Sequence, residues 1–421
     1  MKKYDNIIKK TINDVMNLSI QRSFIENRVD GWVDMKINPS SLEDIYYKNI
    51  WCAKEKIYSW IQGRALETIS EYIKNIEYTK IDKTLLIQFG DSLYSNLISI
   101  VKDADYINNK KTIKFVFDIN ESKYNTFNYP TISDMFVLRG LLSYASIREF
   151  VDDYEILRNK LRYIIEVSIN GSLINDQISF DNGDTINYFE DRVGIEGSML
   201  ALGASQILYD NSKNINDLLF GYYSIRNIIS LFSMELGDKC FIIDYIDLYN
   251  KPIANDTQLI NNPGHCIEII GLALQFIRIN KEILVNNSIN IDSCIDTLIK
   301  MGLSHFSVGR NLNNTINLKV NLIDNTIVNN CCPWWSSFEA LRMFSEIYYL
   351  NKDIKILEKI EAQLACINEI YLKDLDTFVP IQNVDSTGQI IDKIPATPDI
   401  DMGYHTSIPS FDFLKIFDSI I

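Results

Sequence analysis

The sequence predicts an all-α protein, an (α/α)6 barrel: a double ring of twelve helices with short β-hairpins in the long loops at one rim. Three observations carry this prediction. Apolar residues recur at i, i+3 and i+4 along nearly the whole chain. The helical segments they mark are joined alternately by very short and very long connections. No linker-like or low-complexity stretch breaks the series, so residues 1–421 read as a single barrel domain.

The periodic segments span 5–27, 56–78, 83–103, 131–149, 151–171, 191–211, 214–236, 263–284, 287–303, 334–351, 353–371 and 405–419. In the second, Ile57, Ile61, Ala65, Ile69 and Ile73 repeat every four residues and so share one helix face. Segments two and three, four and five, six and seven, eight and nine, and ten and eleven are only a few residues apart. Such links force antiparallel neighbours. The remaining connections, 28–55, 104–130, 172–190, 237–262, 304–333 and 372–404, have the length of structured or functional loops. Strand-like alternation around a turn predicts hairpins at Lys239–Ile253, Ile316–Val328 and Pro380–Ile391. With helices running alternately up and down, every long loop falls at the same end, and a site belongs at that mouth.

Composition narrows the function. With 47% hydrophobic and 23% charged residues the chain can bury a large core. Its net charge of −14, from 41 basic and 55 acidic residues, opposes nucleic acid or an anionic membrane as the main partner. Seven cysteines lack ligand-like spacing, and the adjacent Cys331 and Cys332 suit neither a metal nor an ordinary disulfide. They read as reduced thiols. The start MKKYDNIIKKTINDV has no apolar signal core and no run approaches a membrane span, so a cytoplasmic protein is expected. HExxH, a Ser–His–Asp triad and a Gly-rich phosphate loop are absent, and no metal is expected.

The unusual polar residues follow a parity rule. Gln62 and Arg64 lie on segment two, Glu196 on six, His265 and Glu268 on eight, Trp334, Trp335 and Glu339 on ten, and His405 on twelve. Alternate helices form the inner ring, so these side chains converge on the lumen. The chain has only three histidines. His265 follows Pro263-Gly264, a helix start, and shares a helix face with Glu268. His405 heads the last helix. Imidazole takes and returns a proton near neutral pH, and two of them can serve opposite faces of one carbon. His305 falls outside the parity rule and reads as structural. In KIYSWIQGRALETI, Arg64 sits beside Trp60 on an apolar stripe, where it needs a carboxylate or a ligand oxygen. Glu339 has the same need, and pairing with each other or with Glu268 would meet it. Trp335 beside them suits stacking on the apolar face of a sugar.

WIQGRAL, SDMFVLRGLLSYA, NPGHCIEIIGLAL, PWWSSFEAL and GYHTSIP, in this order and spacing, resemble the motifs of the N-acylglucosamine 2-epimerase superfamily. That group includes N-acetylglucosamine 2-epimerase, cellobiose 2-epimerase and mannose-type aldose–ketose isomerases. The resemblance runs from about Gly31 to Ser410. It implies the same barrel, a mono- or disaccharide substrate, no redox cofactor or metal, and a possible homodimer. It also implies roles. After ring opening one histidine removes the C2 proton and the other reprotonates the opposite face, assigning His265 and His405 as catalytic. Arg64 would stabilise the developing oxyanion, while Glu268 and Glu339 orient the histidines or bind hydroxyls. Trp335, Glu196 and Trp60 complete the expected substrate-binding set.

The chain departs from the family pattern in four places. Segment six has no histidine and offers Glu196 instead, which leans toward the N-acylglucosamine type. Ile408 stands where arginine is frequent, Cys332-Pro333 where lysine is common, and Ser336-Ser337 replace the usual Pro/Val-Gln. An atypical sugar is therefore expected. The alternatives are an aldose–ketose isomerase of a mannose-like sugar, a glycoside hydrolase using Glu268, Glu339 or Glu196, and a degenerate sugar-binding barrel.

Overall fold

The computed structural model describes residues 2–106, 108–180, 191–254, 258–372, 377–393 and 396–418. Parts of the expected loops 172–190 and 372–404, and the last residue of the expected segment 405–419, lie outside the described residues.

Among these residues twelve α-helices form: α1 (Lys2–Ser19), α2 (Ser59–Lys74), α3 (Lys83–Asp103), α4 (Ile132–Arg148), α5 (Tyr154–Ile169), α6 (Glu196–Ser212), α7 (Ile215–Leu231), α8 (Pro263–Asn286), α9 (Asp292–Gly309), α10 (Trp334–Asn351), α11 (Ile354–Cys366) and α12 (Ser407–Asp418). The even-numbered helices pack in a closed ring, each against the next, with α12 returning to α2. The odd-numbered helices lie outside it. This is the (α/α)6 barrel. Burial separates the two rings: every residue from Ile132 to Ala145 of α4 is buried, whereas α5 buries one face. An inner helix covered on all sides is apolar all round; an outer helix needs only a stripe.

Glycine sets the closest helix crossing. A Cβ on Gly63 of α2 would stand 2.4 Å from the carbonyl carbon of Phe136, and one on Gly140 of α4 2.3 Å from the carbonyl oxygen of Gly63. The two backbones touch, which only glycine allows. Helix starts are capped from the sequence. Thr131 and Asp134 form a reciprocal capping box on α4, and the Asn262 side chain caps α8 ahead of Pro263.

The long loops all gather at the mouth, where backbone pairing runs from each loop to the next. Lys56–Tyr58 pairs with Val116–Asp118, Thr131 bridges Ile174, and Arg192–Gly194 pairs with Tyr245–Asp247. Ile260–Asn261 pairs with Lys319–Asn321, and Cys332–Pro333 with Asn383–Val384. The Ile400 N–H donates to Met35 O and closes the circle. Six loops are thereby stitched into one collar.

This corrects the local-hairpin expectation. Only the hairpin expected over 316–328 forms in place, as Lys319–Asn321 with Thr326–Asn329. The one expected over 239–253 is shifted: Ser233–Leu236 pairs with Lys239–Ile242 about Gly237, whose φ is +64°. Its second half joins the loop before α6 instead. In 380–391 the pairing partner is mainly the strand before α10, with a single local bridge, Val384 to Ile390. Segments two, six and seven were overextended for the same reason, since 56–58, 192–194 and 233–236 are strands. Segment nine was displaced. The chain turns at Ser288, φ +60°, and the helix runs on to Gly309.

Candidate functional site

A cavity of about 450 Å³ opens inside the collar, lined by residues of α2, α4, α6, α8 and α10 and of the turn that precedes α12. His265, His405, Arg64, Glu268, Trp335, Glu196 and Trp60 all face it. Among the lining residues Glu339 is missing; it lies behind His405. Gln62 is not at the site either. Its Oε1 accepts the Val33 N–H at 2.8 Å and its Nε2 donates to Val33 O at 3.0 Å, clamping the loop before α2.

The sequence around His265 builds a helix start and a stacking platform together. The backbone N–H of His265 donates to Asn262 Oδ1 at 3.2 Å. A Cβ on Gly264 would stand 2.7 Å from the indole of Trp335, so the glycine lets that ring close down. Trp335 stacks on His265 with centroids 5.0 Å apart and planes 26° apart, and its ring lies 5.7 Å from that of His405. One indole touches both histidines. Burial depresses the pKa of His265, and positive charge on His405, Arg64 and Lys319 acts in the same direction. The ring is itself exposed toward the cavity, which softens the burial effect. The cations Arg64 and Lys319 keep the direction: the resting imidazole is neutral.

His405 is set more rigidly and is only 8% exposed. Its Nδ1 is 3.0 Å from Glu339 Oε1 and 3.9 Å from Glu268 Oε1. Burial takes its pKa down to about 4, with Glu268 opposing. Burial also lifts Glu339, to about 7, and raises Glu268. Burial thus shifts both partners toward their neutral forms, while the charge of Arg342 pulls Glu339 back toward the carboxylate.

Arg64 finds neither of the expected carboxylates. Among the described residues no acid lies within ion-pair distance, and its Nε has no hydrogen-bond partner. Its guanidinium carbon instead stands 4.2 Å from the ring centre of Phe136, 5.0 Å from Tyr404 and 5.6 Å from Trp60. Cation–π contact offsets part of the cost of burying the charge. Burial lowers its pKa, but the guanidinium stays charged. An arginine lining a cavity in this state is ready for a ligand oxygen. Trp60 serves as its wall, with its Nε1 donating to Asp176 Oδ1 at 3.3 Å. Glu339 takes its cation from its own helix: Arg342 Nη1 donates to Glu339 Oε2 at 2.8 Å.

Glu196, the first residue of α6, lines the opposite wall with Asn175 Nδ2 at 3.4 Å as its one side-chain partner among the described residues, and burial raises its pKa. Asp244 stands beside it, lifted to about 7 by burial and by the charge of Glu196. Sequence reading passed over Asp244, which only the collar pairing brings to the cavity. It also passed over Arg139 and Tyr404, which lie inside quoted motifs, and Arg342, which directly follows PWWSSFEAL. The signal available was a charged or phenolic residue on an otherwise apolar helix. His305 is structural in its surroundings: fully buried, it accepts the Ile242 N–H on Nε2 at 2.7 Å, and burial lowers its pKa to about 3.

Among the described residues one group has metal-ligand composition, Glu268, Glu339 and His405, whose donor atoms lie within 4.8 Å of one another. Both oxygens of Glu339 are already engaged, by His405 and by Arg342. The cluster fits proton handling better than coordination. All seven cysteines are free and buried, and no described helix is long and apolar enough to cross a membrane.

No family model matches the sequence, and no curated protein does. Solved structures match its fold. A cellobiose 2-epimerase from Bacillus thermoamylovorans B4167 is similar with a TM-score of 0.74 at 15% identity, covering 99% of this chain and 100% of that one. A sugar epimerase from a ruminal bacterium gives 0.72 at 13% identity over 98% of each chain. A D-mannose isomerase gives 0.71 at 13% identity over 97% of each. At such identity the likeness establishes the barrel and leaves the chemistry to the site.

Proposed function

We propose that this protein is a cofactor-independent sugar epimerase or isomerase of the N-acylglucosamine 2-epimerase superfamily, acting as one barrel domain over residues 1–421. The substrate we favour is an aldose such as an N-acylhexosamine, inverted at C2. The observation that carries this reading is the placement of His265 and His405 on one cavity, both against Trp335, with Arg64, which has no carboxylate partner among the described residues, facing the same space. The names of the similar structures, two sugar epimerases and a mannose isomerase, support the same class.

The step begins with an open-chain aldose. A neutral histidine takes the proton from C2, the C–H electron pair forms a C1–C2 double bond, and the C1 carbonyl oxygen becomes anionic. Arg64 faces that developing charge, the kind of interaction that dominates such reactions. Return of a proton to C2 from the other face gives the epimer. Return to C1, with the O2 proton passing to the anionic O1 as O2 becomes the carbonyl, gives the ketose. Both histidines are held neutral at rest, so epimerisation requires the second ring to enter as imidazolium. The negative enediolate favours that charge. Glu268 faces the cavity and is placed to accept a sugar hydroxyl.

Incubating the protein with aldoses and resolving the products tests this reading. Appearance of the C2 epimer or the matching 2-ketose supports it, and their ratio decides between the two outcomes. Release of reducing ends from oligosaccharides, with free sugars untouched, would replace it with hydrolysis.

A further inference from the structure

Behind His405 the inner ring carries a run of buried charge that a substrate would not touch. Glu339 Oε1 meets His405 Nδ1 at 3.0 Å, Glu339 Oε2 accepts from Arg342 Nη1 at 2.8 Å, and Arg342 Nε donates to Asp412 Oδ2 at 3.0 Å. Glu339, Arg342 and Asp412 are all buried, and none of the three lines the cavity. Glu339 and Arg342 share a face of α10, while Asp412 belongs to α12. The run therefore ties together the two helices whose starts carry Trp335 and His405.

We propose that Arg342 is a positioning residue that selects the tautomer of His405, with the charge of Asp412 opposing it. Arg342 holds Glu339 as a carboxylate, Glu339 accepts the Nδ1 proton, and the Nε2 lone pair is left for the C2 proton of the sugar. The assignment rests on the reading of His405 as a proton-transfer base.

The physical need for Arg342 is clear from what surrounds Glu339. Glu268 approaches from α8, Asp401 from the segment before α12, and Asp412 from α12 itself. Arg64 on α2 is the other cation whose charge reaches Glu339. A dry carboxylate among three like charges takes up a proton unless a cation is hydrogen-bonded to it. Protonated Glu339 would donate to Nδ1 rather than accept from it. The single ring proton of His405 would then sit on Nε2, and the base would become a donor. Glu268 shows the contrast. It stands 3.9 Å from the same nitrogen, has no arginine or lysine in ion-pair range among the described residues, and faces the cavity. Two neighbouring carboxylates are thus separated into one for the ring and one for a ligand. Asp412 has a second effect of opposite sign: it orients Arg342 but adds negative charge near Glu339.

With only three histidines in the chain, ¹⁵N-histidine labelling and two-bond ¹H–¹⁵N spectra read the tautomer directly, with His265→Asn and His305→Gln assigning the signals. Wild-type protein at pH 8 should show His405 protonated on Nδ1. Arg342→Met should move the proton to Nε2 and slow C2 exchange at pH 7 by about tenfold or more, with recovery as pH rises. Arg342→Lys should restore most of the wild-type pattern. Asp412→Asn should act in the opposite direction, lowering the pH at which the tautomer reverses, and it tests the idea even if Arg342→Met does not fold. An unchanged tautomer in Arg342→Met with equal rate loss at every pH would overturn the proposal. So would a shift of the same sign in Arg342→Met and Asp412→Asn. A wild-type protein with the Nδ1–H tautomer but no C2 exchange would sink the proposed reaction while bearing out the positioning.

Discussion

Trp335 stacks on His265 at 5.0 Å and 26°, in a space kept open by the missing Cβ of Gly264. The same indole lies 5.7 Å from His405, so one side chain sets the position of both rings. Trp335→Ala should cut turnover by about 10- to 100-fold while the fold persists, because misplaced acid–base groups lose most of their effect. Gly264→Ala should reproduce much of that loss, since its Cβ would meet the indole at 2.7 Å. Steady-state kinetics beside thermal unfolding separate the two effects. Full activity in both variants would remove Trp335 from the account.

The α2–α4 crossing is expected to be intolerant. Gly63→Ala forces a methyl group against backbone 2.4 Å away, and backbone cannot swing aside as a side chain can. A loss of about 3 kcal/mol is expected, at the upper end for overpacking. Denaturant unfolding measures it. The neighbouring Arg64 should shift with the helix, so substrate turnover should fall even where the variant folds.

His305 gives a pH-dependent stability signature. Its folded pKa, about 3, lies below the ordinary histidine value, so the unfolded state binds the proton first as pH falls. Its stability contribution is complete above pH ~6.5 and declines on acidification toward pH ~3. Between pH 7 and 5 wild-type protein should lose about 2 kcal/mol more than His305→Gln. Urea titrations at the two pH values check this, and identical losses would mean that His305 is not held neutral. Buried acids with raised pKa, such as Asp134 at about 7, act in the opposite sense in both proteins and cancel in the comparison.

Activity should follow Glu339 rather than the histidines on the acid side. His405 charges only near pH 4, whereas Glu339 takes up its proton near pH 7 and then stops accepting from the ring. Turnover should therefore fall as pH drops through about 7. Glu339→Gln, whose amide oxygen still accepts the Nδ1 proton, should be about 10-fold or more slower at pH 8 yet flat down to pH ~5.5. A Gln variant that keeps the wild-type acid limb would assign that limb to another group.

Much of this architecture was readable in advance because it rests on local periodicity and on loop lengths. Alternate short and long links imply a double ring, and parity then places Arg64, Glu196, His265, Trp335 and His405 on the lumen. The collar was not readable. Pairs such as Arg192–Gly194 with Tyr245–Asp247 join strands far apart in sequence, and such short strands carry too few side chains to announce a partner. Asp244 reaches the cavity only through that pairing. The partner of Glu339 was missed for a different reason. Arg342 lies three residues on, just past the tryptophan motif, whereas helix parity points to Arg64 as the available cation. Arg64 instead rests on Phe136 and Tyr404, aromatic contacts that no spacing rule reveals.

The central claim is that His265 and His405 move a proton at sugar C2. Its most direct test is ¹H NMR of a panel of aldoses in D₂O with wild-type protein, His265→Ala and His405→Ala. For at least one sugar, wild-type protein should erase the H2 signal and yield an epimer or ketose carrying deuterium. Each alanine variant should slow that exchange by about 10³-fold or more with unfolding temperature little changed. Exchange at the wild-type rate in both variants, or no exchange with any sugar of the panel, would contradict the account.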